Sequence, residues 1–179
     1  MIRRALILSG ALLAIPAIAV TAVLGFGVMR TATAQDSDEA AVRDALLRSA
    51  SSFAKNDIAE ATKVWANDES LTIFESGHAN YGWADYRDHH LVPEMGEMKN
   101  TKYEFSDIKI HLAGNTAWTT LKYTISADVM DNGKARHVEG GGLGTAILEK
   151  RSDGWRIVHW HSSAPRRAPA ATPSPAAKP

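Results

Sequence analysis

The stretch GGLGTAILEKRSDGWRIVHWHSS, residues 141–163, decides the fold. Two segments with strand-forming residues flank Ser152-Asp153-Gly154, and an Asp-Gly pair between such segments is a strong hairpin signal. Glycines 140–142 precede Gly144 inside the first of these strands. They lack the strand–loop–helix setting of a phosphate loop and instead predict that the sheet bends sharply here.

The residues before this hairpin continue the β pattern. Apolar residues alternate over 103–112, and the phase slip between Phe105 and Ile108 predicts a β-bulge. A long strand candidate follows at 118–129, and Asp131-Asn132-Gly133 predicts a tight turn into the next strand. The second half of the chain is therefore predicted to be an antiparallel meander.

The first half of the chain shows helical periodicity instead. Apolar residues recur at i, i+4, i+8 and i+11 along a helix predicted to end near Asn56. Residues 56–57 can cap a second, shorter helix. These two helices would present inward Val42, Leu46, Ala50, Phe53, Ile58, Ala61, Val64 and Trp65.

A third helix is predicted after a short strand. Residues 71–75, LTIFE, form the strand candidate, and the following segment to Trp83 is rich in turn-forming residues. Residues 84–91 have a helical pattern. Pro93 disfavours helical geometry at Val92, so this helix is predicted to stop there.

Helices that precede a strand meander indicate an α+β fold. We expect a strongly curved antiparallel sheet wrapped around the N-terminal helices. Such a cone has an open mouth, and concave apolar spaces of this kind are where small ligands bind.

Charge and composition exclude several classes of function. Residues 35–164 hold 14 basic and all 20 acidic residues, a net charge of −6, which argues against a nucleic-acid partner. The chain has no cysteine, so disulfides, thiol nucleophiles and cysteine-based zinc sites are excluded.

The two ends differ from the body in composition. Residues 1–34 combine two early arginines, an uncharged run over 5–29 and Ala32-Thr33-Ala34, which predicts a signal peptide or a membrane anchor. Either one predicts an exported domain, periplasmic or extracellular, that contacts the membrane only through an uncleaved N-terminal segment. Residues 35–163 form the predicted domain, and residues 164–179 a disordered Pro/Ala-rich tail.

Three segments carry a resemblance to a known family: YGWADYRDHHLVPE (81–94), GNTAWTTLKY (114–123) and the opening stretch. Together with the order of the predicted elements, they resemble the SnoaL-like branch of the nuclear transport factor 2-like superfamily. The resemblance implies a cone-shaped α+β fold and a homodimer formed through the sheet. The superfamily includes isomerases, cyclases and dehydratases, so it implies no single reaction.

One reaction within that superfamily can be compared with the residues present. Ketosteroid isomerases use an Asp base, with a Tyr and a protonated Asp as hydrogen-bond donors. Tyr103, Tyr123 and Asp128 are residues of the right type, but no local motif assigns those roles to them. The isomerase and cyclase mechanisms are therefore not carried over.

The last strand offers the first group of candidate site residues. With a period of two, Trp155, Ile157, His159 and His161 share one face, which changes from apolar to polar along the strand. We expect this face to line the pocket. Alternatively, Trp160 lies on the pocket face and both histidines point away from it.

The predicted third helix offers the second group. Asp85–His89 and Tyr86–His90 are i, i+4 neighbours, so one histidine can be held by its partner while the other points to the cavity. Glu94 lies four residues beyond His90, although Pro93 makes a continuous helical turn doubtful. A solvated helix face with a local Asp–His pair is the alternative interpretation.

A divalent metal site built from His90, Glu94, His159 and His161 is compatible with the ligand types. The spacing is not diagnostic, and a histidine acting as general base near pH 7 needs no metal. We therefore predict no metal and no cofactor.

The sequence predicts an exported domain that binds a small organic ligand in the pocket of a SnoaL-like cone. Alternatives are an isomerase, cyclase or lyase-like enzyme using a pocket histidine, and a dimeric interaction module. The predicted catalytic residues are His161 and His90. The predicted pocket residues are His159, Trp155, Trp83, Tyr86, Glu94 and Tyr123.

Overall fold

The structure is a computed structural model that describes residues 19–131 and 133–165. Residues 1–18 of the predicted signal or anchor and residues 166–179 of the predicted tail lie outside the described residues. Residues 19–33 are described by their backbone alone. Export, cleavage and the domain boundaries therefore stay predictions. Among the described residues, no helix combines the length and the apolar character needed to cross a membrane.

The chain divides into two units, residues 1–36 and residues 37–179. Helices and strands follow one another in the predicted α+β order, with one additional strand. The helices are α1 (Ala19–Ala54), α2 (Ile58–Val64), α3 (Trp83–Tyr86), the π-helical turn π1 (Arg87–Leu91) and α4 (Val92–Glu97). The strands are β1 (Thr72–Glu75), β2 (His78–Tyr81), β3 (Met98–Ala113), β4 (Thr116–Asp131), β5 (Lys134–Arg151) and β6 (Gly154–Ser163).

The predicted apolar stripe of α1 packs into the core. Val42 and Leu46 are fully buried, and Ala50 and Phe53 are nearly so. The short helix α2 begins where predicted, because the side chain of Asp57 accepts a hydrogen bond from the backbone N–H of Glu60 (2.9 Å). Both helices contribute to one apolar core together with the inner face of the sheet.

One six-stranded sheet with the order β2-β1-β6-β5-β4-β3 supports these helices. The meander β3 to β6 is antiparallel, as predicted. In contrast, β1 pairs parallel to β6, with Glu75 opposite Ser162, so the sheet is mixed. The segment after β1 was expected to be a loop, but residues 78–81 form strand β2, an antiparallel hairpin partner of β1.

Irregularities in the strands bend the sheet. The predicted bulge in β3 is confirmed by a register shift between Ser106 and Lys109. In β5, Gly144 provides space for an inward-facing ring, since a Cβ there would lie 2.5 Å from Cη2 of Trp160. This glycine serves close packing of the sheet's inner face.

The predicted end of the third helix is wrong. The chain stays helical through Val92, whose φ and ψ are −66° and −45°, and continues as α4 to Glu97. Pro93 is tolerated because it lies in the first turn of α4, where the helix does not require a backbone N–H from that residue. The wider turn π1 joins the two α-helical segments without a break.

Candidate active site

A cavity of about 340 Å³ opens between α1, the segment from α3 to α4 and the inner face of the sheet. Its size is typical of pockets for small organic molecules. Aromatic and aliphatic side chains form most of its wall, and acidic and imidazole groups cluster on one side. The lining residues are Ser49, Ser52, Phe53, Trp65, Glu75, Ser76, His78, Tyr86, His90, Leu91, Glu94, Met98, Tyr103, Phe105, Tyr123, Ile125, Trp160 and Ser162.

The two histidines of β6 do not line this cavity, contrary to our expectation. A register shift opposite Ile147 and Leu148 places an extra residue, Val158, in β6. Residues after this β-bulge therefore point to the face of the sheet opposite to the one that a strict period of two, counted from Trp155, predicts. Beyond the bulge Trp160 faces the cavity, whereas His159 and His161 face away.

On the outer face the histidines have local partners. The Nδ1 atom of His159 lies 2.7 Å from Oγ1 of Thr72, and both imidazoles pack edge-on against Phe74. Burial and the neighbouring His161 lower the pKa of His159. The predicted catalytic role of His161 therefore has no support from its position.

The two tryptophans predicted as pocket walls belong to the core instead. Trp155 precedes the bulge and points inward, where its indole N–H donates to Asp38 (3.1 Å). Trp83 is buried and packs edge-to-face against Tyr86. Neither side chain lines the cavity.

Four of the predicted residues do line the cavity: Tyr86, His90, Glu94 and Tyr123. His90 is the cavity-facing histidine of its pair, whereas His89 is exposed and pairs with Asp85 (3.0 Å). This division of roles between the two neighbouring histidines confirms the prediction from the i, i+4 spacing.

The imidazole of His90 lies between two carboxylates. Its Nε2 atom is 3.3 Å from Oε2 of Glu75 and 3.6 Å from Oε2 of Glu94. The side chains of His90 and Glu75 are largely shielded from solvent, and that of Glu94 is 37% exposed. Because the chain stays helical past Pro93, Glu94 is placed one turn beyond His90, on the same side of the helix.

Glu75 was missed by the sequence analysis, although it connects the polar groups of the cavity. Its Oε1 atom accepts hydrogen bonds from the indole N–H of Trp160 (2.6 Å) and from the hydroxyl of Ser162 (3.2 Å). These two donors satisfy this oxygen of the carboxylate and fix its position. Only the parallel pairing of β1 with β6 brings these residues together, and no local pattern signals that pairing.

Asn80, on β2, is a second residue that the sequence analysis missed. Its side-chain oxygen Oδ1 lies 2.9 Å from Nδ1 of His90, and its Nδ2 donates to Asp85 (3.0 Å). Asn80 does not line the cavity and contacts His90 from behind.

The electrostatics of the cavity favour the protonated forms of Glu94 and of two phenols. Burial raises the pKa of Glu94 to about 7, with further contributions from Glu75 and Glu97. Burial and the charge of Glu75 also raise the pKa values of Tyr86 and Tyr103 well above the usual range. These phenols are therefore proton donors at any physiological pH.

Two of these phenol hydroxyls are available to a ligand. The side chain of Tyr86 is 94% buried and lines the cavity, yet its hydroxyl has no hydrogen-bond partner within residues 19–131 and 133–165. Tyr103 also lines the cavity, and its hydroxyl has no hydrogen-bond partner in the described part of the chain. A bound molecule with an acceptor oxygen would satisfy both donors.

The alternative metal site is not assembled. Among the described residues, no group of three or more His, Asp or Glu side chains is arranged to hold a metal ion. His159 and His161 lie on the sheet face opposite to His90 and Glu94, because of the bulge in β6.

Sequence comparison agrees with the fold. The profile of the SnoaL-like domain matches residues 42–167. The chain belongs to this SnoaL-like family. No match was found among curated proteins.

Solved structures with the same fold are distant in sequence. A nuclear transport factor 2 (NTF2-like) superfamily protein from Salmonella enterica serovar Typhimurium is 21% identical, with a TM-score of 0.64 over 79% of this chain and 97% of that one. The Kfla4162 protein from Kribbella flavida is 16% identical, with a TM-score of 0.65 over 73% and 92%. The hexachlorocyclohexane dehydrochlorinase LinA-type3 from Novosphingobium barchaimii is 11% identical, with a TM-score of 0.63 over 76% and 92%. At these identities the similarity shows the NTF2-like fold alone.

Proposed function

We propose that this SnoaL-like domain binds a small, largely apolar organic molecule in its cavity and catalyses a proton transfer on it. His90 is the proposed general base, and Glu94 the proposed general acid. One observation carries the proposal: Nε2 of His90 lies on the cavity wall within 3.6 Å of both Glu75 and Glu94.

His90, Glu75 and Glu94 can each carry out one part of a proton transfer. A neutral imidazole whose lone pair is on Nε2 can accept a proton from a carbon or oxygen atom of the ligand. Glu75, held by Trp160 and Ser162, would then stabilise the imidazolium that forms. Glu94, with a pKa of about 7, can return a proton to a second ligand atom at neutral pH.

The reaction class follows from this arrangement. When His90 removes a proton from carbon, the electron pair of the broken C–H bond remains on the ligand. It either expels a leaving group from the adjacent carbon, which is an elimination, or is protonated at another carbon, which is an isomerisation. The unpartnered hydroxyls of Tyr86 and Tyr103 can donate to a ligand oxygen on which negative charge develops.

A purely ligand-binding role is the alternative. An apolar ligand would be held by the aromatic wall alone, and a buried carboxyl group with a pKa near 7 beside an imidazole adds nothing to such binding. Pairs of titratable groups in a cleft are typical of acid–base catalysis. That a protein of the same fold is named a dehydrochlorinase is compatible with an elimination.

The test combines binding with isotope exchange on the full chain. A thermal-shift screen with small ketones, esters, alcohols and halogenated hydrocarbons finds compounds that raise Tm. Each of these compounds is then incubated with the protein in deuterated water, and the exchange of its C–H protons is followed by NMR.

The structure supplies matched variants for this test. His90→Gln is expected to slow exchange at least about 100-fold while keeping the ligand-induced rise in Tm. His161→Gln, on the outer sheet face, is expected to keep both. A wild-type protein that binds compounds without exchanging or converting them would support the binding-only alternative, and full exchange by His90→Gln would overturn the proposed role of His90.

We also propose that the outer face of the sheet forms a homodimer. Trp118 and Ile147 are paired neighbours on β4 and β5, 47% and 36% exposed, and Leu143 on the same face is 61% exposed. Large exposed apolar side chains on adjacent strands are typical of protein–protein contacts. A second copy of the chain would cover them without obstructing the cavity on the inner face.

A further inference from the structure

We infer that Asn80 and Asp85 are positioning residues that fix the tautomer of His90, so that Nε2 is its basic nitrogen. The inference rests on the proposed function, because it assigns the nitrogen that would accept the proton. It concerns two side chains outside the cavity lining, one on β2 and one on α3.

Asp85 fixes the orientation of the Asn80 amide. Its Oδ2 atom accepts from Nδ2 of Asn80 (3.0 Å) and from the backbone N–H of Tyr81 (3.0 Å). Hydrogen bonds from His89, Asn80 and Tyr81 lower the pKa of Asp85, so this carboxylate acts only as an acceptor. The reversed amide would place its oxygen against the carboxylate, two acceptors in contact.

The oriented amide determines which nitrogen of His90 carries a proton. The Oδ1 atom of Asn80 lies 2.9 Å from Nδ1 of His90. An amide oxygen can only accept, so Nδ1 must be the donor of this hydrogen bond. A neutral imidazole has one N–H, so the short Nδ1 contact places the lone pair on Nε2, whose contacts with Glu75 (3.3 Å) and Glu94 (3.6 Å) are longer and are not hydrogen bonds.

The lone pair is thereby directed to the reactive side of the ring. Nε2 is the atom near Glu75 and Glu94, which both line the cavity. Second-sphere acceptors commonly select a histidine tautomer in this way at metal and catalytic sites. Here the carboxylate of Asp85 acts through the side-chain amide of Asn80, so its negative charge does not contact the imidazole of His90 directly.

The β1–β2 hairpin supports both sides of the arrangement. Glu75 is the last residue of β1 and pairs in register with His78, and Asn80 lies two residues further along β2. The hairpin therefore places the carboxylate that faces Nε2 and the amide that faces Nδ1 on opposite sides of one ring. A shift of this hairpin would change both contacts together.

The test reads the tautomer directly and does not require a known substrate. The ¹⁵N chemical shifts of the His90 ring nitrogens, measured above the pH at which the ring becomes neutral, distinguish a protonated Nδ1 from a protonated Nε2. The wild-type protein is expected to show the Nδ1–H form. Asn80→Leu removes the acceptor and is expected to give a mixture of the two tautomers.

Further variants separate positioning from a structural role. Asp85→Asn no longer fixes the orientation of the Asn80 amide, so part of the His90 population is expected to adopt the Nε2–H tautomer. His89→Gln removes the other partner of Asp85 and is the control that should leave the His90 tautomer unchanged.

Catalysis and binding should respond differently in the proposed reaction. Asn80→Leu is expected to lower kcat at least about 10-fold with little change in the ligand-induced Tm shift, because Asn80 does not touch the cavity. An Nε2–H tautomer in the wild type, or an unchanged tautomer in both Asn80→Leu and Asp85→Asn, would overturn the inference. If the tautomer responds as expected and no proton transfer is found with any ligand, the positioning stands and the proposed function fails.

Discussion

Nε2 of His90 and Oε2 of Glu94 lie 3.6 Å apart, one helical turn from each other, although Pro93 separates the two residues in sequence. The contact exists because π1 and α4 continue as one helical segment across the proline. It brings a base and an acid to the same wall of the cavity, at a distance that allows a shared ligand to contact both groups.

Replacing Glu94 should change how stability depends on pH. Burial, Glu75 and Glu97 raise the pKa of Glu94 from 4.5 to about 7, and His90, Tyr86 and Tyr103 are the other titratable groups around this side of the cavity. The folded state thus binds this proton more tightly than the unfolded state. The energetic cost of ionisation is absent below about pH 4.5, grows as the pH rises and is complete above about pH 7.

Glu94→Gln removes that cost, so its stability relative to wild type should increase from pH 5 to pH 8. We expect a gain of about 1 kcal/mol in the free energy of unfolding, discounted because the side chain is 37% exposed. Urea unfolding at both pH values measures it. The exposed Glu104→Gln is the control, and an equal gain in both variants would contradict the assignment to Glu94.

The indole N–H of Trp160 should matter for the cavity, beyond its effect on stability. Trp160→Phe keeps the apolar ring but loses the hydrogen bond to Glu75, at a cost of about 2 kcal/mol in the free energy of unfolding. Trp155→Phe loses a comparable bond to Asp38 outside the cavity.

Both variants should therefore unfold at lower denaturant concentration, while only Trp160→Phe should slow isotope exchange on a bound ligand. Chemical unfolding and NMR exchange measure the two effects. Equal losses of exchange in the two variants would show that the effect comes from general destabilisation.

Gly144 should not tolerate a side chain. A Cβ there would lie 2.5 Å from Cη2 of Trp160 and 2.9 Å from Cδ1 of Leu121, so Gly144→Ala is expected to lower the free energy of unfolding by about 1–3 kcal/mol. Gly140→Ala is the control for adding a methyl group to the same strand, because a Cβ at Gly140 would lie 3.5 Å from Cγ2 of Ile125, an ordinary van der Waals distance. Chemical unfolding measures the free energy of unfolding of both variants. Similar losses in the two variants would mean that the indole of Trp160 moves aside at little cost.

The proposed homodimer predicts a sensitive position in the exposed apolar patch of the outer face. Trp118→Lys is expected to convert a dimer to a monomer in sedimentation experiments without loss of the far-ultraviolet circular dichroism spectrum. Met130→Lys alters an exposed apolar side chain near the far end of the same strand and should leave the dimer intact. A wild-type chain that sediments as a monomer at micromolar concentration would exclude the interface.

Local patterns were sufficient to predict most of the fold. The helical stripe from Val42 to Phe53, the two hairpin turns and the bulge after Phe105 are each determined by neighbouring residues, and all are present. The continuation of the helix past Pro93 was missed, because a wide turn can accommodate a proline that a regular α-helix interior rejects.

The candidate site was only half predictable, for a physical reason. Tyr86, His90 and Glu94 lie within one helical segment, so their spacing in sequence places them together. Glu75 and Asn80 depend on the pairing of β1 with β6 and β2, which is not encoded in any short stretch. In β6, apolar residues occupy both alternating phases around Val158, so periodicity alone could not decide which face meets the cavity.

The bulge at Val158 has a consequence for how this wall of the cavity can change during divergence. Deleting a single residue there would restore strict alternation and turn the imidazoles of His159 and His161 inward in place of the Trp160 indole and the Ser162 hydroxyl. An insertion or deletion would thus replace a set of functional groups in one step and leave the hairpin and its neighbours in place. Relatives that differ in length at this strand are therefore expected to differ in chemistry more than their overall sequence identity suggests.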